Sequence, residues 1–145
     1  MKPAKAFTLS AHGAQMPAIG FGTMKFPGPA AELVTHAINC GYRLIDTARK
    51  YGTEEEVGKG IRASGIARDE LWVTTKVTEL DAREADFMKS AETSLKTLQL
   101  DYVDLLLVHW PQPKVPFPET LGALAKAKRA MPACRTSRSP CWKKR

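Results

Sequence analysis

Four side chains able to do acid–base chemistry stand at a regular interval: Asp46, Tyr51, Lys76 and His109. Asp46 ends the apolar run "YRLID", Lys76 ends "LWVTTK", His109 follows "DYVDLLLV", and Tyr51 lies five residues past Asp46. Each has a plainer reading on its own. Asp46 before Thr47 suits a turn or cap, Tyr51 a packing role with a wet hydroxyl, Lys76 a solvated strand end, and His109 a satisfied core imidazole. Together they suit the reduction of a carbonyl. A carbon accepting hydride needs a proton on its oxygen, and a phenol, with an ordinary pKa of about 10, donates better beside an ammonium. Asp46 can hold Lys76 charged and aimed, while a neutral His109 can hydrogen-bond and orient the substrate oxygen. No side chain supplies hydride, so a cofactor must.

Such a set works only if the chain brings it to one place, and the elements needed for that are legible. "AFTLS", a His12-Gly13 turn and "QMPAIGFGT" read as a hairpin. A helix is expected from about Pro29, with Leu33, Val34, Ala37 and Ile38 on its apolar face and Gly41 as its stop. After the strand "YRLIDT", "TEEEVGKGIRASG" reads as a helix with capping-box spacing between Thr53 and Glu56 and a stop at Gly65. "LWVTTK" is a strand, followed by a helix from about Asp81 to Leu98 with Met88, Ala91, Leu95 and Leu98 on one face. "DYVDLLLVHW" has the continuous apolar character of a strand buried on both sides, and "PETLGALAKAKRA" opens a fourth helix. Strands alternating with helices predict parallel βαβ units. The strand ends at Asp46, Lys76 and His109 are 30 and 33 residues apart, one module each time. In such folds ligands bind beyond the carboxyl ends of the strands.

Composition sets bounds. At 145 residues the chain is the size of one ordinary domain. No stretch approaches the roughly 20 apolar residues of a bilayer-spanning helix, and the start lacks the apolar core of a signal peptide. Three cysteines, Cys40, Cys134 and Cys141, have no zinc-type spacing, so no metal site or disulfide framework is indicated and a cytoplasmic location is expected. The net charge of +7 belongs to one end: residues 1–113 carry 13 Lys+Arg against 14 Asp+Glu, and residues 114–145 carry 9 against 1. After Ala130, "MPACRTSRSPCWKKR" has no helical or strand period and is expected to be a basic, disordered tail. Nucleic-acid binding through it is a weak reading, because it lacks a reading helix or an aromatic-studded sheet.

The words "MPAIGFGT", "GYRLIDTARKYGTEEEVGKGI", "TTKV" and "LKTLQLDYVDLLLVHWP" resemble the aldo-keto reductase family of NADPH-dependent (β/α)8-barrel enzymes. Within it the chain is most similar to the bacterial 2,5-diketo-D-gluconate reductases, which also reduce methylglyoxal and other small aldehydes. The resemblance implies a catalytic tetrad of Asp46, Tyr51, Lys76 and His109 with Tyr51 as general acid. It also implies NADPH near Thr23 and Asp46, and a small carbonyl substrate against His109, Trp110 and Phe26. Thr53 stands where the family usually has Asn, a change at a helix cap that Thr can fill nearly as well. Arg49 and Lys50 place two cations between Asp46 and Tyr51, either beside the phenol or, the favoured reading, turned to water.

The resemblance ends in the fourth helix, whereas a complete barrel takes about 250 residues. The expected organisation is therefore the N-terminal half of a (β/α)8 barrel over residues 1–130, preceded by a hairpin, with residues 131–145 as a non-family tail. Two unpaired strand edges then favour self-association, and the alternative to an active reductase is a non-catalytic chain that associates with itself or with an intact reductase.

Overall fold

A computed structural model describes residues 7–11, 14–26 and 28–130. It opens with an antiparallel hairpin of β1 (Thr8–Ala11) and β2 (Ala14–Pro17), in which Thr8 pairs with Pro17 and Ala11 with Ala14. The His12-Gly13 turn lies outside the described residues, as does the tail after Ala130. The second strand does not run on through Thr23, as the sequence suggests. It stops at Pro17, which has no amide to donate to a ladder, and Gly20 carries the chain close over Leu44, where a Cβ would lie 2.5 Å from Leu44 Cδ2. Phe21–Gly22, β3, then joins a different sheet.

That sheet has β4 (Leu44–Asp46), β5 (Trp72–Val77) and β6 (Leu105–Val108) beside β3, all parallel and in chain order. Helices α1 (Ala30–Asn39), α2 (Glu54–Ala63), α3 (Glu84–Leu98) and α4 (Phe117–Ala130) follow the four strands in turn. Each helix lies against the next, and α3 and α4 pack on β5 and β6. This is the arrangement of four consecutive units of a (β/α)8 barrel. One core joins the layers: Val34 and Ile38 of α1, Val57 and Ile61 of α2, Phe87 and Leu98 of α3, and Ala123 and Ala127 of α4 meet Ile45, Val73, Val77 and Leu106 of the strands. Full burial of an aliphatic or aromatic side chain of this size contributes about 1.5–3 kcal/mol. Close approach matters too. A Cβ on Gly58 would lie 2.0 Å from the Leu98 carbonyl oxygen, which also accepts a hydrogen bond from Arg62 at 2.9 Å.

Two local expectations are corrected. The third helix begins at Glu84, because Glu79–Asp81 forms a separate short turn capped by the Thr78 hydroxyl. Its buried face centres on Phe87, Ser90, Ala91, Ser94 and Leu98, with Met88 and Leu95 at the margin, since neighbouring helices on both sides and the sheet beneath decide which stripe is covered. The capping box also does not form. Thr53 has helical backbone angles and makes no side-chain cap; its hydroxyl lies 3.5 Å from that of Thr23, and Glu56 pairs with Lys59 at 2.7 Å. Among the described residues, no helix is long and apolar enough to cross a membrane.

Candidate active site

Parallel register decides which strand ends share a rim. Asp46, the last residue of β4, pairs with Thr74, so β5 runs on past it, and Val77 and Val108 end β5 and β6 level, with the His109 amide donating to Val77 O at 2.9 Å. After Asp46 the chain makes a short turn, Arg49–Tyr51, closed by Gly52 at φ 69°, a left-handed conformation for which glycine carries no Cβ penalty. The turn returns Tyr51 over the strand ends.

There Lys76 is the hub. Its Nζ donates to Asp46 Oδ2 at 2.7 Å and to the Thr47 carbonyl at 3.0 Å, and it makes a long contact of 3.4 Å with Tyr51 Oη. The Lys76 side chain is only 13% exposed whereas that of Asp46 is 38% exposed. The ammonium is therefore shielded and paired, while the carboxylate keeps a surface toward solvent. The His109 ring meets the Tyr51 ring edge to face, with centroids 5.5 Å apart and planes at 81°. Burial, and then the Lys76 charge, lower the pKa of His109 from its ordinary value, against smaller opposing effects from Glu79 and Asp46. The imidazole is thus held neutral near pH 7, and its Nδ1 is buried without a hydrogen-bond partner among the described residues.

The geometry brings Asp46, Tyr51, Lys76 and His109 together as the sequence spacing suggests. Trp110 stacks on His109 at 6.3 Å and is 62% exposed. Thr23 is fully buried, and its amide donates to Asp46 O at 3.0 Å. Phe26 is half-buried, stacks on Phe21 at 5.6 Å and packs against the core. Arg49 and Lys50, read from sequence as solvated, do face solvent and are also ion-paired. Arg49 reaches Asp81 at 3.9 Å and Lys50 bonds Glu79.

Glu54 is a residue that sequence reading passes over. It is one of three consecutive glutamates but is buried, and it accepts a 2.6 Å hydrogen bond from Thr75, the residue before Lys76. A carboxylate at the first turn of a helix satisfies the ordinary preference there, so nothing in the local pattern separates it from Glu55 and Glu56. Only the return of β5 beneath it does.

Chemically, an ammonium 3.4 Å from a phenol oxygen stabilises the charge that develops there as the phenol gives up its proton. A neutral imidazole on the other side can hold the acceptor oxygen in line. The set can deliver a proton, and it contains no source of hydride.

Comparisons with known proteins bear on the family and the fold. The family model described as "Aldo/keto reductase family" matches residues 18–130. A methylglyoxal reductase, DkgA, of Yersinia pestis is 48% identical over 103 residues, which are 70% of this chain and 36% of that protein. A glyoxal reductase of Bacillus subtilis is 46% identical over 117 residues, 79% of this chain and 42% of that protein. Among solved structures, a Bombyx mori aldo-keto reductase in complex with NADP superposes with a TM-score of 0.78 at 33% identity, covering 89% of this chain and 48% of that one. The chain thus spans less than half the length of each.

Proposed function

The chain belongs to the aldo/keto reductase family, and from that premise we propose that its four strand-end residues serve the NADPH-dependent reduction of small aldehydes and ketones to alcohols. The observation that carries the reading is the Lys76 ammonium, 2.7 Å from Asp46 and 3.4 Å from the Tyr51 hydroxyl, on the rim where His109 meets the same phenol.

In this reading Tyr51 gives its proton to the carbonyl oxygen and later recovers one from solvent. Lys76 stabilises the charge developing on the phenol oxygen, and Asp46 holds Lys76 in place. His109, neutral at working pH, orients the oxygen by a hydrogen bond, and Trp110 offers an exposed apolar wall beside it. Thr23 and Asp46 would hold the nicotinamide end of NADPH. The fit is good on one point visible here: Asp46 uses Oδ2 for Lys76 and remains partly exposed, so its carboxylate can also accept from a ribose hydroxyl. When bound, NADPH would supply the hydride that the carbonyl carbon accepts. A cytoplasmic setting belongs to the same reading and fits the exposed free thiol of Cys40. Two relatives are named for glyoxal and methylglyoxal, which favours small dicarbonyls as substrates. Titrating the chain with NADPH and following nicotinamide fluorescence tests the reading. Saturable binding that Asp46→Asn weakens supports it, and no binding at millimolar cofactor contradicts it.

A second reading is favoured by the sheet. Among the described residues, strands β3 and β6 each pair on one side only, and open edges are templates for strand addition. The chain would then associate with another copy or another reductase. A concentration-dependent shift in sedimentation, lost when Leu106 is replaced by proline, would identify that role.

A further inference from the structure

We infer that Glu79, assisted by Asp81, is a positioning residue that ties together the three loops carrying Tyr51, Lys76 and His109. The functional meaning of this bridge rests on the reductase reading. The observations are contacts between loops. The Glu79 carboxylate bonds Lys50, the residue before Tyr51. Asp81 pairs with Arg49, one residue earlier, at 3.9 Å. The Glu79 carbonyl accepts from Gln112 at 3.4 Å, which brings in the loop after His109. Glu79 itself follows Lys76 by three residues, and the Thr78 hydroxyl donates to its second oxygen at 3.1 Å. One residue therefore touches the segments on either side of its own.

The bridge answers a mechanical need. Tyr51 sits in a three-residue turn whose own backbone bonds are local, Tyr51 N to Ala48 O at 3.0 Å and Gly52 N to Arg49 O at 3.2 Å. Nothing in those bonds fixes the turn against β5. Yet the phenol is already at the long end of hydrogen-bond reach from Lys76, so a small outward swing would separate them. Two ion pairs to the loop that follows Lys76 resist that swing. The competing explanation is a solvated charge pair with no role, which is the usual case for exposed salt bridges, since they add little to global stability and are screened by salt. Local order, rather than stability, is therefore where the bridge should register. Lys50 holds the Glu79 carboxyl down to about 2, so the bridge stays charged at any working pH.

The test follows the His109 Cε1–H resonance in the isotope-labelled 145-residue chain, at a pH well above the histidine range so that the Glu79 charge does not act through protonation. The Tyr51 ring shifts this signal by its ring current, and Tyr51→Leu defines the position without it. Glu79→Gln is expected to move the signal toward the Tyr51→Leu position with the thermal midpoint unchanged, and the exchanged pair Lys50→Glu/Glu79→Lys to return it. Raising salt should move wild type in the same direction and Glu79→Gln much less. A signal that stays put in Glu79→Gln, or one that the exchanged pair does not restore, overturns the bridge. If Glu79→Gln does not fold, a salt-insensitive signal in wild type overturns it equally. Neither readout needs turnover or cofactor, so failure here is distinguishable from failure of the reductase reading.

Discussion

The two rims of the parallel sheet hold the same three kinds of side chain in opposite circumstances. Beyond the carboxyl ends, Lys76, Asp46 and Tyr51 meet; at the amino ends, Arg68, Asp104 and Tyr102 do. In the lower set Arg68 donates to Asp104 Oδ2 at 2.7 Å, to Tyr102 O at 3.0 Å and to Leu71 O at 2.9 Å, and its guanidinium stacks 4.0 Å over the Tyr102 ring. Asp104 is 1% exposed and also accepts from Val73 N at 2.9 Å. The planar guanidinium turns its two terminal nitrogens to backbone and carboxylate and its face to the ring. In the upper set the cation is a lysine that reaches the tyrosine hydroxyl at 3.4 Å as well as lying 5.1 Å over its ring, and Asp46 stays partly exposed. The same charges thus fix the fold at one rim and leave a proton donor available at the other, as expected for the two faces of a barrel.

Breaking one partner of each set should separate the roles. Arg68→Met leaves Asp104 buried without its cation and is expected to destabilise the chain by about 3–5 kcal/mol, read as a lowered urea midpoint. Lys76→Met, in a partly exposed pair, should cost no more than about 1 kcal/mol on the same scale. If the upper substitution costs as much as the lower, the division of labour is wrong. Between these two, Gly58→Ala should cost about 1–3 kcal/mol by forcing a methyl onto the Leu98 carbonyl, which a thermal melt would show.

The smallest effect concerns pH. His109 has a lowered pKa in the fold, so as pH falls through about 6.5 the unfolded chain takes a proton that the folded chain refuses. Stability at this residue is complete above that pH and declines below it, until the folded imidazole also protonates. Replacing His109 with Gln should flatten the difference in urea midpoint between about pH 7.5 and about pH 5.5. Because the Lys76 charge contributes to the lowering, Lys76→Met should raise the His109 pKa measured by NMR. Arg68→Lys, at the other rim, should not.

How much of this is legible in the sequence depends on the range of the cause. The four strand–helix units are legible because apolar runs and terminators such as Gly41 and Gly65, both at positive φ, are local signals. The meeting of Asp46, Lys76 and His109 is legible because parallel modules of near-equal length repeat the same end. What escapes are pairings between modules. Arg49 and Lys50 look unpaired until Glu79 and Asp81 come round beside them, and Thr53 looks like a cap until Thr23 lies against it. Arg68 and Asp104 are 36 residues apart, and nothing near either marks it as buried. Phe87 outranks Met88 in the core only once the helices flanking α3 are in place.

The most direct measurement is the rate of NADPH oxidation with methylglyoxal, comparing the chain with Tyr51→Phe, which keeps the ring and removes the proton. The expected result is a loss of at least about 10²-fold with the affinity for NADPH unchanged. Equal rates in the two chains, or no rate above buffer in either, would contradict the assignment of that rim to carbonyl reduction.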